Sequence, residues 1–258
     1  MLTLVPTPIG NLRDITLRAL DALKAADLII CEDTRHTQKL LSAYEIKKPL
    51  LSFHEHSAPG KVAAIMGMLS EGKNLALVSD GGTPLISDPG FQITHEAIRS
   101  NTPFEVLPGA SALTTALAAS GLATDSFSFF GFLPQKSAAR RKFLSGLTER
   151  EETLIFYESP YRLVQTLEEM KEIFGEREAV VARELTKMFE EIQRGFLADL
   201  MLKFSSKKVL GEIVLLVAGK DRKRLFERHS EAEGRPRKGA ASPRISPDPS
   251  PSLRSGSG

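Results

Sequence analysis

A chain of 258 residues allows one large domain or two small ones, and its 41% hydrophobic and 26% charged content is that of an ordinary globular protein. No apolar run approaches the roughly 20 residues of a membrane helix, the opening MLTLVPTPIG lacks the basic region of a signal peptide, and the single Cys31 excludes a disulfide framework or a cysteine-built zinc site. The net charge of +2 hides an asymmetry: residues 221–258 carry +4 and residues 1–220 carry −2, so the body is not a generally basic nucleic-acid binder.

Along the chain, short apolar runs alternate with helical periodicity. Strands are expected over 2–6, 28–31, 50–53, 75–79 and 104–107, with helices over 15–25, 37–44, 61–70, 91–99 and 110–120. This alternation predicts an α/β fold with a mostly parallel first sheet covered on both faces. After Gly121 the pattern changes. Strands over 127–132, 153–157, 179–183, 191–196 and 212–218, with helices at 136–146 and 160–173, predict a mixed second sheet containing hairpins. Two α/β domains are therefore expected, 1–120 and 121–220. The Pro- and Ser-rich basic tail, 221–258, is expected to be disordered from about 225 and to act as a basic arm or a solvated extension.

Three loops stand out. Pro6-Thr7-Pro8-Ile9-Gly10 ends the first strand in a rigid turn, and Asp14 is placed to cap the next helix. The stretch is not a dinucleotide fingerprint, and no Walker A sequence occurs. Ser79-Asp80-Gly81-Gly82-Thr83-Pro84-Leu85-Ile86-Ser87-Asp88-Pro89-Gly90 follows the fourth strand, at the carboxyl edge where open α/β sheets bind ligands. It is longer and richer in Gly, Pro and Asp than a connection requires. Pro108-Gly109-Ala110-Ser111-Ala112 turns into a helix of small residues, which suits close approach of a ligand or close packing on a sheet equally well.

Together these loops resemble the tetrapyrrole methylase superfamily of S-adenosylmethionine-dependent methyltransferases. The resemblance continues through Glu32-Asp33-Thr34-Arg35, Phe130-Gly131-Phe132-Leu133-Pro134, Phe156-Tyr157-Glu158-Ser159-Pro160-Tyr161-Arg162 and Arg183-Glu184-Leu185-Thr186-Lys187, from about residue 2 to 220. Gly81 stands where the family usually has alanine, and Met188-Phe189 departs from its pattern. The resemblance implies two α/β domains with the cofactor in the cleft between them. It points to the branch that methylates a cytidine ribose 2'-hydroxyl in the decoding centre of 16S rRNA, in the 30S subunit. A cytoplasmic homodimer with no membrane partner and no metal is implied as well. Corrin C-methylation, methylation of a modified histidine on a translation factor, and a non-catalytic nucleotide- or RNA-binding module stay open as alternatives.

On this reading S-adenosylmethionine would rest against Pro8, Asp80, Gly81, Gly82, Thr83, Ser111 and Ala112, with Phe132 and Leu133 as apolar walls. Transfer to a 2'-hydroxyl is helped by in-line orientation and by a general base. Asp88, Glu32 and Glu184 are the expected bases in that order, ahead of Asp33 and Glu158. Arg35, Lys136, Arg140 and Arg141 are the expected RNA contacts, with Arg35 suited to a phosphate by its fork of donors. Thr34 is expected to cap the second helix. His54-Glu55-His56 reads as a solvated or RNA-contacting loop, His36 and His95 as ordinary polar positions, Cys31 as a buried small hydrophobe, and Phe127, Phe129 and Phe130 as core.

Overall fold

The computed structural model describes residues 1–54 and 59–221. The expected tail, together with Glu55 and His56 of the histidine loop, lies outside them.

Five strands form the first sheet: β1 Leu2–Val5, β2 Leu28–Cys31, β3 Leu50–Ser52, β4 Leu75–Val78 and β5 Phe104–Val106, in the order β3-β2-β4-β1-β5. All pairings are parallel, as the strand–helix alternation predicts. The strands read as unbroken apolar runs because each face is covered. Val5, Ile29 and Val78 pack with Leu23 of α1 (Leu17–Ala25) and Leu41 of α2 (Thr34–Ala43). Leu4, Ile30 and Leu77 pack on the other face with Ile65 of α3 (Pro59–Ser70) and Ile93 of α4 (Phe91–Arg99).

The second sheet has the order β6-β7-β10-β8-β9: β6 Phe127–Phe132, β7 Thr153–Glu158, β8 Glu178–Arg183, β9 Glu191–Phe196 and β10 Ile213–Val217. It is mixed as expected. β6 pairs with β7 in parallel across a crossover helix, α6 (Ser137–Ser145), and the other neighbours are antiparallel, including the β8–β9 hairpin. One face packs against α6, α7 (Leu163–Phe174) and α8 (Leu197–Ser205) through Leu144, Leu167, Met170 and Phe204. The other face takes α5 (Ala112–Ser120), whose Ala116 and Leu117 join Ile155, Val180 and Leu216. Helix α5 follows the first sheet in sequence yet covers the second. Arg194 of β9 fixes its end by donating from Nε to the Ser120 carbonyl at 3.0 Å, and Gly121 closes the helix in the left-handed region at φ 80°.

Local capping departs from the sequence expectation at two helices. Asp14 ends a 3-10 turn, Leu12–Asp14, and Thr16 caps α1 by accepting from the Ala19 N–H at 3.1 Å. Asp33, not Thr34, caps α2: its carboxylate accepts from the Arg35 N–H at 2.8 Å, so the helix begins three residues before the expected start. Helix α8 is absent from the expectation. It leaves β9 directly at Phe196, with no loop between strand and helix, although Leu197, Leu200 and Phe204 are buried at helical spacing. Phe127 is exposed, so only Phe129 and Phe130 of the three expected core rings pack inside.

Candidate active site

The carboxyl ends of β1 and β4 sit side by side, and their loops are laced together. The Thr7 N–H donates to the Gly82 carbonyl and the Gly82 N–H returns to the Thr7 carbonyl, both at 2.9 Å. Thr7 Oγ1 donates to the Ser79 carbonyl at 3.0 Å and Ser79 Oγ to the Gly82 carbonyl at 2.9 Å. Gly82 lies at φ 94°, which a side chain tolerates poorly, so glycine is needed for this bridge. Thr83 Oγ1 reaches the Ala110 carbonyl at 3.3 Å and ties in the loop before α5.

Against these loops opens a crevice of about 750 Å³, within the size range of small-ligand sites. Pro8, Asp80, Gly81, Asp88 and Ala112 line one side of it, and Tyr157, Glu158, Leu185, Lys187 and Glu212 the side built by the second sheet, with Phe132 at its mouth. The two sides meet where the loop after β1 reaches the loop after β8. The Asn11 N–H donates to Thr186 Oγ1 at 3.0 Å, and a Cβ on Gly10 would fall 2.5 Å from Lys187 Cγ, 2.7 Å from Thr186 Oγ1 and 2.8 Å from the Leu185 carbonyl. On Gly81 a Cβ would meet nothing nearer than the Pro8 carbonyl at 3.5 Å. Gly81→Ala is therefore expected to keep near-normal activity. Gly10→Ala, which pushes the two loops apart, is expected to lose about 100-fold in kcat/KM, since misplacement by about an ångström carries that cost; steady-state kinetics of the two variants side by side checks this.

The electrostatics single out Asp88. It is half-buried, and burial together with the nearby charges of Glu32 and Asp80 pushes its carboxyl up to about 7. Asp80 is held in place by the Asp33 N–H, which donates to its Oδ1 at 3.3 Å. The Tyr157 hydroxyl is pushed up by burial and by the Asp88 and Glu212 carboxylates, so it stays protonated.

Of the expected site residues, Pro8, Asp80, Gly81, Asp88, Ala112 and Phe132 line the crevice. Gly82, Thr83 and Ser111 stand behind it. The first two build the loop, and Ser111 occupies the N-cap position of α5 without a side-chain hydrogen bond. Glu32 is not a lining residue and acts on the site through its charge on Asp88. Glu184 is corrected as a base. Burial would raise its carboxyl, but the Lys187 ammonium at 2.9 Å and the Glu212 N–H at 3.1 Å outweigh this and hold it low, which makes it a support for Lys187. Glu158 is buried and its oxygens are occupied, accepting from Thr166 Oγ1 and paired with Arg162, both at 2.7 Å.

Arg140 is corrected as an RNA contact. It is fully buried, bidentate to Glu169 at 2.6 and 2.8 Å. Arg141 is paired with Glu172 at 2.6 Å, and Lys136 is exposed at the start of α6. Arg35 is exposed and lies 3.7 Å from Asp33. The sequence reading missed Lys187, Tyr157, His36 and Lys39 as lining residues. On α2 Lys39 lies three residues after His36 and four after Arg35, a pattern hidden by an expected start at 37. Among the described residues no group of His, Cys, Asp or Glu is arranged to hold a metal, and no helix is long and apolar enough to cross a membrane.

The model of the Tetrapyrrole (Corrin/Porphyrin) Methylases family matches residues 1–201, and the chain belongs to that family. It is 47% identical over 220 residues to the Ribosomal RNA small subunit methyltransferase I of Thermotoga maritima, covering 85% of this chain and 99% of that one. It is likewise 47% identical over 227 residues to the protein of the same name from Bacillus subtilis, covering 88% and 78%. Its fold is similar to that of the methyltransferase CobJ at a TM-score of 0.65 and 19% identity, over 87% of this chain and 96% of that one.

The chain is thus a methyltransferase, and its methyl donor is S-adenosylmethionine. The crevice suits that donor. Leu40, Ala112, Leu185 and Val214 give it an apolar stretch, Gly81 exposes backbone, and Asp80 offers a carboxylate to a cationic ligand. The buried Thr37 Oγ1 on its wall makes no well-formed hydrogen bond and has only the weak Cys31 thiol beside it.

Proposed function

We propose that this chain methylates the ribose 2'-hydroxyl of a cytidine in the decoding centre of 16S rRNA, acting on the 30S subunit as a cytoplasmic homodimer. The proposal includes two lobes, 1–120 and 121–220, with the crevice between them. The observation that carries it is the pairing of a donor-sized crevice with Asp88, a half-buried carboxyl brought to about 7 at its wall. The names of the relatives at 47% identity support a small-subunit rRNA substrate. Likeness to a cobalamin biosynthetic enzyme, cobalt precorrin-4 methyltransferase, at 19% identity and a TM-score of 0.64 speaks to fold alone, which leaves C-methylation of corrin precursors the weaker reading.

Bound in the crevice, S-adenosylmethionine would supply an electrophilic methyl on its sulfonium. Pro8, Gly81 and Ala112 would seat it, with Asp80 facing its positive charge. Leu40, Leu185 and Val214 exclude water from the reacting region. Asp88, ionised above about pH 7, accepts the proton of the 2'-hydroxyl, while Tyr157 and the fixed Lys187 cation shape the acceptor side. Burial alone would lower the Lys187 ammonium. Hydrogen bonds to Glu212 at 2.8 Å and to Glu184 overcome this and keep it charged.

The test is transfer of tritiated methyl from the donor to 30S particles purified from cells without the enzyme. Label is expected in 16S rRNA, at one cytidine whose 3' linkage resists alkaline hydrolysis because its 2'-oxygen is blocked. Label on a base, on protein or on a corrin precursor would replace this reading.

A further inference from the structure

Of the large apolar side chains that the described residues leave exposed, Leu12, Ile86 and Phe132 line the crevice. Tyr161, Met188 and Phe189 stand one or two positions beyond the lining residues Pro160 and Lys187. Their exposure is large: 60% for Phe132, 86% for Tyr161, 90% for Met188 and 69% for Phe189. Single exposed hydrophobics need no explanation, but six of them lining one crevice or within two positions in the chain of its lining residues mark a contact surface. Phe132 is also pre-oriented, its ring meeting the edge of Tyr157 at 5.6 Å between centroids.

Beside this rim runs the face of α2 that carries the cations Arg35 and Lys39, with His36 between them in sequence. His36 and Lys39 line the crevice, and Lys39 has no ion-pair partner among the described residues. Of the basic run of α6, Arg140 lies inside the core and Arg141 pairs with Glu172, which leaves Lys136 and Lys142 exposed. Exposed cations next to exposed rings are what a single nucleic-acid strand requires, phosphates on the first and unstacked bases on the second. A duplex would hide its bases from such rings, and a ribose within it could not enter the crevice.

We propose that the crevice mouth is a track for single-stranded RNA, with bases of the acceptor segment stacked on Tyr161, Phe189 and Phe132 and its phosphates held by the α2 face. This rests on the rRNA reading above and adds to it the strand form recognised and the side chains that recognise it.

The experiment measures fluorescence anisotropy of the full chain with a labelled oligonucleotide copied from the methylated segment, free and in a duplex, alongside KM for 30S particles. The single strand is expected to bind about 10-fold more tightly than the duplex. Tyr161→Ala and Phe189→Ala are each expected to weaken the single strand and raise KM for 30S by about 10-fold with donor affinity unchanged, and Tyr161→Phe to restore binding. Lys39→Gln is expected to flatten the salt dependence by about 0.7 in log–log slope. Equal affinity for strand and duplex, or no oligonucleotide binding, overturns the inference. So does a rim variant that loses 30S affinity while binding the oligonucleotide as the parent does, since the rim then docks a protein surface. Absence of methyl transfer to rRNA by the parent enzyme is a separate result and defeats the rRNA reading instead.

Discussion

Arg140→Ala is expected to lower the free energy of unfolding by about 3–5 kcal/mol, the largest stability loss of any single charge removal in the protein. The guanidinium is fully buried and every face of it is used. Nε and Nη2 grip the Glu169 carboxylate at 2.6 and 2.8 Å, and Nη1 donates to the Gln135 carbonyl at 3.2 Å and the Pro134 carbonyl at 3.4 Å. Ser137 Oγ adds a third donor to Glu169 at 2.7 Å. Removing the cation leaves a carboxylate in the core with one hydroxyl for company, and it leaves two carbonyls of the β6–α6 connection unpaired. Burial would then raise the Glu169 carboxyl, which Arg140 and Ser137 now hold below its usual range.

The variant should consequently recover some stability in acid, where Glu169 is neutralised. The parent behaves in the opposite sense: its depressed carboxyl contributes above the unfolded-state pKa and loses that contribution as pH falls through the folded value. Urea denaturation at pH 8, at pH 5 and below the unfolded-state value of about 4.5 measures both effects, and at a chain of this size the loss corresponds to a drop in Tm on the order of 10 °C. Replacing both partners, Arg140→Met with Glu169→Leu, is expected to restore most of the stability, because no charge is then stranded. Arg141→Glu, at an exposed pair, should cost less than about 1 kcal/mol. Equal costs at 140 and 141 would contradict the buried network.

The contrast between these neighbours marks where sequence reasoning stops. Strand–helix alternation gave the parallel first sheet, and the close spacing of Arg183 and Glu191 gave the β8–β9 hairpin, because both follow from local periodicity. The loop between Ser79 and Gly90 was legible for a chemical reason: glycines, prolines and carboxylates crowded together at a strand's carboxyl end have few structural uses. Which arginine of Lys136–Lys142 faces the core was not legible, since that depends on the phase of α6 against α7, about 30 residues away. Likewise Glu184 and Asp88 look equivalent as carboxylates at strand ends. Only the fold puts Lys187 against one and Glu32 near the other, sending their proton affinities in opposite directions. The basic face of α2 was obscured because its first turn, Thr34-Arg35-His36, holds no apolar residue to extend the periodicity that starts at 37.

Asp88→Asn is expected to lower kcat by about 10²–10⁴-fold while leaving donor binding largely in place, since the amide keeps the shape of the wall but cannot accept the hydroxyl proton. In the parent, kcat should rise through about pH 7 as Asp88 ionises and then level off; in the variant the residual rate should show no such step. Stability moves the other way. The folded state holds this proton up to about 7 while the unfolded chain releases it near 4, so between those values the folded form binds more protons and stability from this group falls as pH rises. Asn removes that slope, so the variant should be the more stable protein at pH 8 and the less active one, the signature of a carboxylate kept at a functional site against its own electrostatic comfort. The cause can be tested separately. Burial is the leading contribution and would survive, but Glu32→Gln and Asp80→Asn each remove a neighbouring charge and should move the rate step to lower pH. A step that stays in place in both variants would mean that the carboxyl whose ionisation limits transfer is not Asp88.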